Sequence, residues 1–175
     1  FETGFALVLL SLLASESTMI FYQSFLPRII ALFVMSYSLS ALREAGIPLT
    51  IDGITGKIKQ YPFAIICFML GLFSVAGMPL FAGFSEKLSA FQYSSQLPGN
   101  ILVWMMAGVG GFLFSALRFY SYATKPGEED AKSKESTTQI AVLVIMTLLL
   151  ILLGAFPNLV PQLFSGLLSS LPVLQ

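Results

Sequence analysis

From Gln139 to Phe156 the chain runs eighteen residues without a charged side chain, most of them Leu, Ile, Val or Met. The hydrocarbon core of a bilayer is about 30 Å thick and a helix rises about 1.5 Å per residue, so a run of about 20 apolar residues suits a span. No water reaches the backbone there, which leaves only helices or closed barrels. The apolar residues are continuous rather than alternating, which excludes a barrel. The rest of the chain follows suit: of 175 residues, 56% are hydrophobic and 10% charged, where a soluble domain carries roughly 25% charged. The fold expected is an all-α membrane protein, a single transmembrane domain over 1–175.

Five apolar segments can be placed, at about 1–14, 19–42, 62–96, 101–123 and 139–156. The second closes at Arg43-Glu44 and Gly46, and the fifth stops at Pro157. A tail over 158–174 mixes Leu and Phe with Ser, Asn and Pro and is expected to lie on the membrane surface. The chain opens at Phe1 with an apolar run, 5–14, too short for a full span, and with no basic leader. A chain that begins inside its first helix, as the later part of a larger subunit, is the expectation.

The third segment is too long for one straight span: thirty-five residues of helix would reach about 52 Å. It is either a hairpin or one helix broken at Gly77-Met78-Pro79-Leu80-Phe81-Ala82-Gly83. Charge decides. With a single crossing, Arg43, Lys57, Lys59, Arg118, Lys125, Lys132 and Lys134 fall on one side, in or beside the loops 43–61 and 124–138. With a double crossing the two basic loops land on opposite sides. The bias of Lys and Arg toward the cytoplasmic face favours one crossing and sends the C-terminus to the other side. Trp104 at one end of its segment, with Tyr120 and Tyr122 at the other, matches an aromatic belt. The third segment then reads as two half-helices, about 62–76 and 84–96, around an unwound stretch, with Gly77, Pro79 and Gly83 as its hinge. Such backbone survives in a membrane only when buried in protein or lining a hydrated cavity, and in transporters it commonly marks an ion site.

The chain has no histidine and zero net charge. No metal-ligand spacing or phosphate-binding glycine loop occurs, and nothing suggests a nucleic-acid partner. Cys67 reads as a small packing residue. Two basic residues, Arg28 and Lys87, remain inside spans, where a charge costs at least about 2.5–3.5 kcal/mol. Lys87 opens the second half-helix, where the helix dipole and burial both disfavour a cation. Glu86 pulls the other way and suits a helix N-terminus, although adjacent helical residues point about 100° apart and need not pair directly. Lys87 reads as a proton acceptor or as a fixed neutraliser of a carboxylate; the residues alone leave both open. Arg28 cannot relay protons but could tune a neighbouring site, or extend toward the outer surface. Ser36, Ser38, Ser40, Ser74, Ser85, Ser89 and Gln92 could line a water path, although membrane serines more often bond the backbone. Gly108, Gly110, Gly111, Ser115 and Ala116 suggest close helix packing. Glu128-Glu129-Asp130 with Lys132 and Lys134 reads as a solvated loop.

At the break the sequence becomes recognisable. Gly77-Met78-Pro79-Leu80-Phe81-Ala82-Gly83-Phe84-Ser85-Glu86-Lys87 resembles the G-x-P-P-x-x-G-F-x-x-K stretch of the antiporter-like membrane subunits of respiratory complex I and of Mrp-type cation/proton antiporters. Asp52-Gly53-Ile54-Thr55-Gly56 and Tyr61-Pro62-Phe63 look like that family's approach to the same helix. The resemblance implies two inverted five-helix repeats in the parent subunit, with this chain similar to the end of the second repeat and the closing helix. It implies that Lys87, with Glu86 beside it, takes part in proton transfer in a proton-translocating subunit of an NADH:quinone oxidoreductase-like complex. The alternatives are a secondary cation/proton antiporter subunit, moving sodium against protons, and a module that only supports assembly. No cofactor is expected in this chain; flavin, iron–sulfur clusters and quinone would belong to partner subunits. The location implied is a bacterial inner membrane. Two departures stand out: the second proline is Leu80, and Glu86 replaces the small residue usual before the lysine.

Overall fold

A computed structural model of the chain describes residues 25–95, 100–126 and 135–156, with Gly4, Leu7 and Leu159 as isolated positions. The segment expected at 1–14, Gln23, the charged run 127–134 and nearly all of the tail at 158–174 lie outside the described residues. Among the described residues there is no strand. The helices are α1 (Phe25–Glu44), α2 (Ile51–Ile54), α3 (Pro62–Ala76), α4 (Gly83–Ser94), α5 (Ile101–Ala123) and α6 (Thr137–Ala155), with a single 3-10 turn over Lys57–Lys59. Three of them, α1, α5 and α6, are long and apolar enough to cross a membrane. The pair α3 and α4 is the broken segment, and its halves fall within two residues of the boundaries read from sequence.

Helix α3 is the hub, packed against α1, α5 and α6. Its mixture of small and large side chains allows that. Gly71 lets α1 come close: a Cβ there would lie 2.7 Å from Met35 Cγ and 3.4 Å from the Ala31 carbonyl oxygen. On the α5 side, the rings of Phe68 and Phe119 meet at 4.9 Å between centroids, tilted by 54°. Toward α6, Cys67 is buried and lies beside Thr147, a packing position as expected. Without a hydrophobic driving force between helices in lipid, fit of this kind holds the bundle together.

The helix ends explain the topology. Helix α1 stops where Gly46 adopts φ 76°, with Gly46 N–H donating to Arg43 C=O and Ile47 N–H to Leu42 C=O. That double bond pattern is the Schellman stop. At the other rim elements, α3 begins with Pro62 at its first position, and Tyr61 gives it no side-chain cap. The cap arrives from far along the chain: Glu135 accepts from Phe63 N–H at 3.1 Å and from Ala64 N–H at 2.7 Å. The next residue, Ser136, forms a capping box with Gln139 that starts α6. Gln139 Nε2 also donates to Glu44 Oε2 at 3.1 Å, and Gly56 N–H donates to Tyr122 C=O at 3.2 Å.

These bonds gather the ends of α1 and α5 and the starts of α3 and α6 at one rim. Helix α5, at 23 residues about 35 Å long, then carries its start to the opposite face, where α4 ends. The segment 62–94 therefore crosses once. The loops 43–61 and 124–138 share a side, as the charge distribution requires. Glu135, at the end of the second loop, is a structural clamp between two helices.

The small-residue stretch of α5 differs from expectation. A Cβ added at Gly110 or Gly111 would meet nothing within 4 Å among the described residues, so the close packing expected there is not made by them. Ala116 alone of the group is fully buried.

Candidate functional site

The break is built from two turns. At Gly77, φ is 79°, a conformation that glycine adopts without penalty. Gly77 N–H donates to Ser74 C=O and Met78 N–H to Phe73 C=O, a second Schellman stop. Then Phe81 N–H donates to Met78 C=O at 3.2 Å, closing a turn with Pro79 and Leu80 at its centre. Leu80 has φ 77° and is exposed. Proline before a residue of positive φ is the signature of a type II turn. The second proline of the family pattern cannot adopt this φ, since its ring holds φ near −65°. Leu80 is the departure that makes this turn accessible, at a strain of roughly 1–2 kcal/mol for an L-residue. Leu80→Gly is expected to stabilise the chain by about 1 kcal/mol, and Leu80→Pro to destabilise it. Thermal unfolding in detergent checks both; a destabilising glycine would show that the turn is not strained.

Two close approaches hold the break in place. A Cβ at Gly83 would lie 2.1 Å from the Ser74 carbonyl oxygen, so the start of α4 sits directly on the end of α3. A Cβ at Gly154 of α6 would lie 2.3 Å from the Leu80 carbonyl oxygen and 2.4 Å from the Phe81 carbonyl carbon. Gly154 was not singled out from sequence. A glycine in a run of leucines, three residues before Pro157, was the available signal.

Lys87 lies at the end of the first turn of α4, which begins at Gly83, one residue earlier than read from sequence. Lys87 is 2% exposed and Glu86 8%. The Lys87 stem folds over the break: a Cβ at Gly77 would lie 2.4 Å from Lys87 Cγ. This folding brings Nζ to 3.3 Å from Glu86 Oε1, to which it donates. The neighbours therefore form a direct pair despite their angular separation, because the four-carbon stem is long enough to turn back. Outside water such a pair is costly, and geometry must offset the desolvation. A proton can sit on either partner without changing the pair's net charge.

Beside the pair is a cavity of about 10 Å³, lined by Pro27, Arg28, Ala31, Ser74, Gly83, Glu86 and Lys87 among others. That is about one water's worth of space. Of the serines considered for a water path, Ser38 and Ser89 donate to the carbonyl four residues back. Ser36, Ser40 and Gln92 are exposed, and Ser85 is half-buried. Ser74 is 1% exposed and its Oγ has no hydrogen-bond partner among the described residues. A buried hydroxyl left so is costly, and this one borders the cavity. Arg28, half-buried, also stacks near Phe25 at 5.9 Å from the ring centroid. The structure thus brings Gly77, Gly83, Glu86, Lys87 and Arg28 together. Pro79 shapes the turn and does not line the cavity. Among the described residues no group of three or more acidic, His or Cys side chains could hold a metal ion.

Comparison with known proteins finds curated relatives of the chain. Subunit N of the NADH-quinone oxidoreductase of Thioalkalivibrio sulfidiphilus is 30% identical over 125 residues, 68% of this chain and 25% of that protein. The chain belongs to the antiporter-like membrane-subunit family. Subunit N of Deinococcus radiodurans is 29% identical over 126 residues, 69% of this chain and 25% of its own length. Subunit N 2 of Acidobacterium capsulatum is 27% identical over 144 residues, 73% of this chain and 29% of its own. The chain thus spans roughly a quarter of the length of these curated family members. No family model matches it. No solved structure matches it. Membership in the family fits the three apolar helices of a membrane protein.

Proposed function

We propose that this chain is part of a proton-translocating membrane subunit of an NADH-quinone oxidoreductase, and that Lys87 with Glu86 carries protons through its broken helix. The supporting observation is the buried Lys87–Glu86 pair at 3.3 Å, set beside a water-sized cavity that the orphaned Ser74 hydroxyl borders. Lys87 accepts a proton from the hydrated side and releases it to Glu86 or to a water held by Ser74. Arg28, permanently charged, sets the local potential and penalises an extra proton on the pair. The hinge of Gly77, Pro79 and Gly83 keeps the pair at the break. The curated relatives are named as subunits of NADH-quinone oxidoreductases. On that basis the partners are other membrane subunits, which hold the flavin, iron–sulfur clusters and quinone, while this chain holds no cofactor. The basic rim faces the cytoplasm of a bacterial inner membrane, with the C-terminus opposite.

The first test is purification through a tag on this chain in mild detergent, with mass spectrometry of the accompanying subunits. Recovery of flavin and iron–sulfur subunits that oxidise NADH is expected. Recovery of small membrane subunits only, with sodium-dependent proton flux in vesicles lacking any electron donor, would replace this reading by the secondary antiporter.

A further inference from the structure

A second and much larger cavity, about 450 Å³, lies far from Lys87, at the rim where the basic loops gather. Its walls are apolar: Leu39 of α1, Ile54 of α2, Phe68 of α3 and Phe119 of α5. Its mouth carries Arg118 and Tyr122. Arg118 and Lys125 both lie against the Tyr122 ring, at 5.6 Å and 4.1 Å from its centroid. Neither cation forms an ion pair with a carboxylate among the described residues. Asp52, on α2, acts on Tyr122 only through space. The level is fixed by Gly56 N–H donating to Tyr122 C=O, at the last turn of a membrane-crossing helix.

We propose that this cavity is a binding site for an anionic phospholipid, with one acyl chain between α1, α3 and α5 and the phosphate on Arg118 and Lys125. Three features select that occupant. The space is an apolar volume of about 450 Å³ bounded by α1, α2, α3 and α5. Arg118 at the mouth and Lys125 beside Tyr122 have no carboxylate partner among the described residues, and phosphate is matched by the planar guanidinium of Arg118. The height is that of the headgroups, where basic pockets between helices on the positively charged side capture anionic lipid. The tyrosine between the two cations is the amphipathic residue favoured at that boundary.

The test uses the chain purified with its native partners and reconstituted in vesicles of phosphatidylcholine. These contain a small fraction of phosphatidylglycerol bearing a photoreactive group in its acyl chain. Labelling is expected on peptides covering 49–54 and 115–122, displaced by unlabelled phosphatidylglycerol but not by equal phosphatidylcholine or by inorganic phosphate. Arg118→Gln combined with Lys125→Gln is expected to cut labelling about tenfold or more, since each cation near the surface is worth about 1 kcal/mol toward anionic lipid. Ser115→Phe, which fills the cavity from α5 and leaves the charges in place, is expected to abolish the same labels. The proposal is overturned if wild type is unlabelled there, if phosphatidylcholine or inorganic phosphate competes equally, or if either variant labels as wild type does. Labelling is read with no electron donor present, so its failure leaves the proton-transfer reading standing, and the reverse.

Discussion

Replacing Lys87 with methionine is expected to stop proton movement through this chain while the helices still assemble. Methionine keeps the length of the stem that folds over Gly77 but removes the amine that accepts a proton there. In the purified complex the protons moved per NADH oxidised should fall by this subunit's whole share, and flux through the chain itself should drop at least about tenfold, equivalent to about 1.4 kcal/mol of barrier. The variant also leaves Glu86 buried without its lysine, and breaking a buried pair costs about 3–5 kcal/mol. Lys87→Met with Glu86→Gln separates the two effects. It should regain thermal stability but not pumping. Ser74→Ala should lower flux less, because the hydroxyl orders one water and carries no charge. An unchanged proton-to-electron ratio in Lys87→Met would end the relay role assigned to this residue.

The second large effect concerns backbone contact rather than chemistry. Gly154→Ala places a methyl group 2.3 Å from the Leu80 carbonyl oxygen, and Gly83→Ala one 2.1 Å from that of Ser74. In both cases the obstacle is main chain, which has no rotamer by which to give way. Overpacking typically costs about 1–3 kcal/mol, occasionally more, and the upper end is expected here. Gly110→Ala is the control: no described residue lies within 4 Å of the added methyl group, and removing a helical glycine should be neutral or stabilising by up to about 1 kcal/mol. Thermal unfolding of the three variants in one detergent compares them. If Gly154→Ala tracked Gly110→Ala, α6 would not press on the break.

The spans and the break were legible because each rests on a local signal. An apolar run reports burial in lipid, Gly-x-Pro reports an interrupted helix, and seven basic residues report a side. The position of Lys87 inside a span was equally plain. Its direct pairing with Glu86 was not, because angular separation on a helix says nothing about how a long side chain folds back. Glu135 carried no local sign of its role, because its carboxylate caps a helix that begins 73 residues earlier. No sequence period links those positions. The face at Gly110 and Gly111, open among the described residues, shows the opposite case: small residues permit close approach but do not name the partner. Ser74 could be named among seven polar candidates, and only its burial without a hydrogen-bond partner among the described residues sets it apart.

Helix α6 begins beside the clamp at Glu135 and ends with Gly154 against the turn at Leu80. Its nineteen residues span about 28 Å. It is a strut with one end hinged on the loop rim and the other seated, without clearance, on the backbone next to the buried lysine. Tilting the strut by 5° about its rim end would carry the far end roughly 2.5 Å, several times the slack that the Gly154 contact allows. A load on the rim at Glu135 is therefore delivered to the turn beside Lys87 as displacement, with no side chain between them to absorb it.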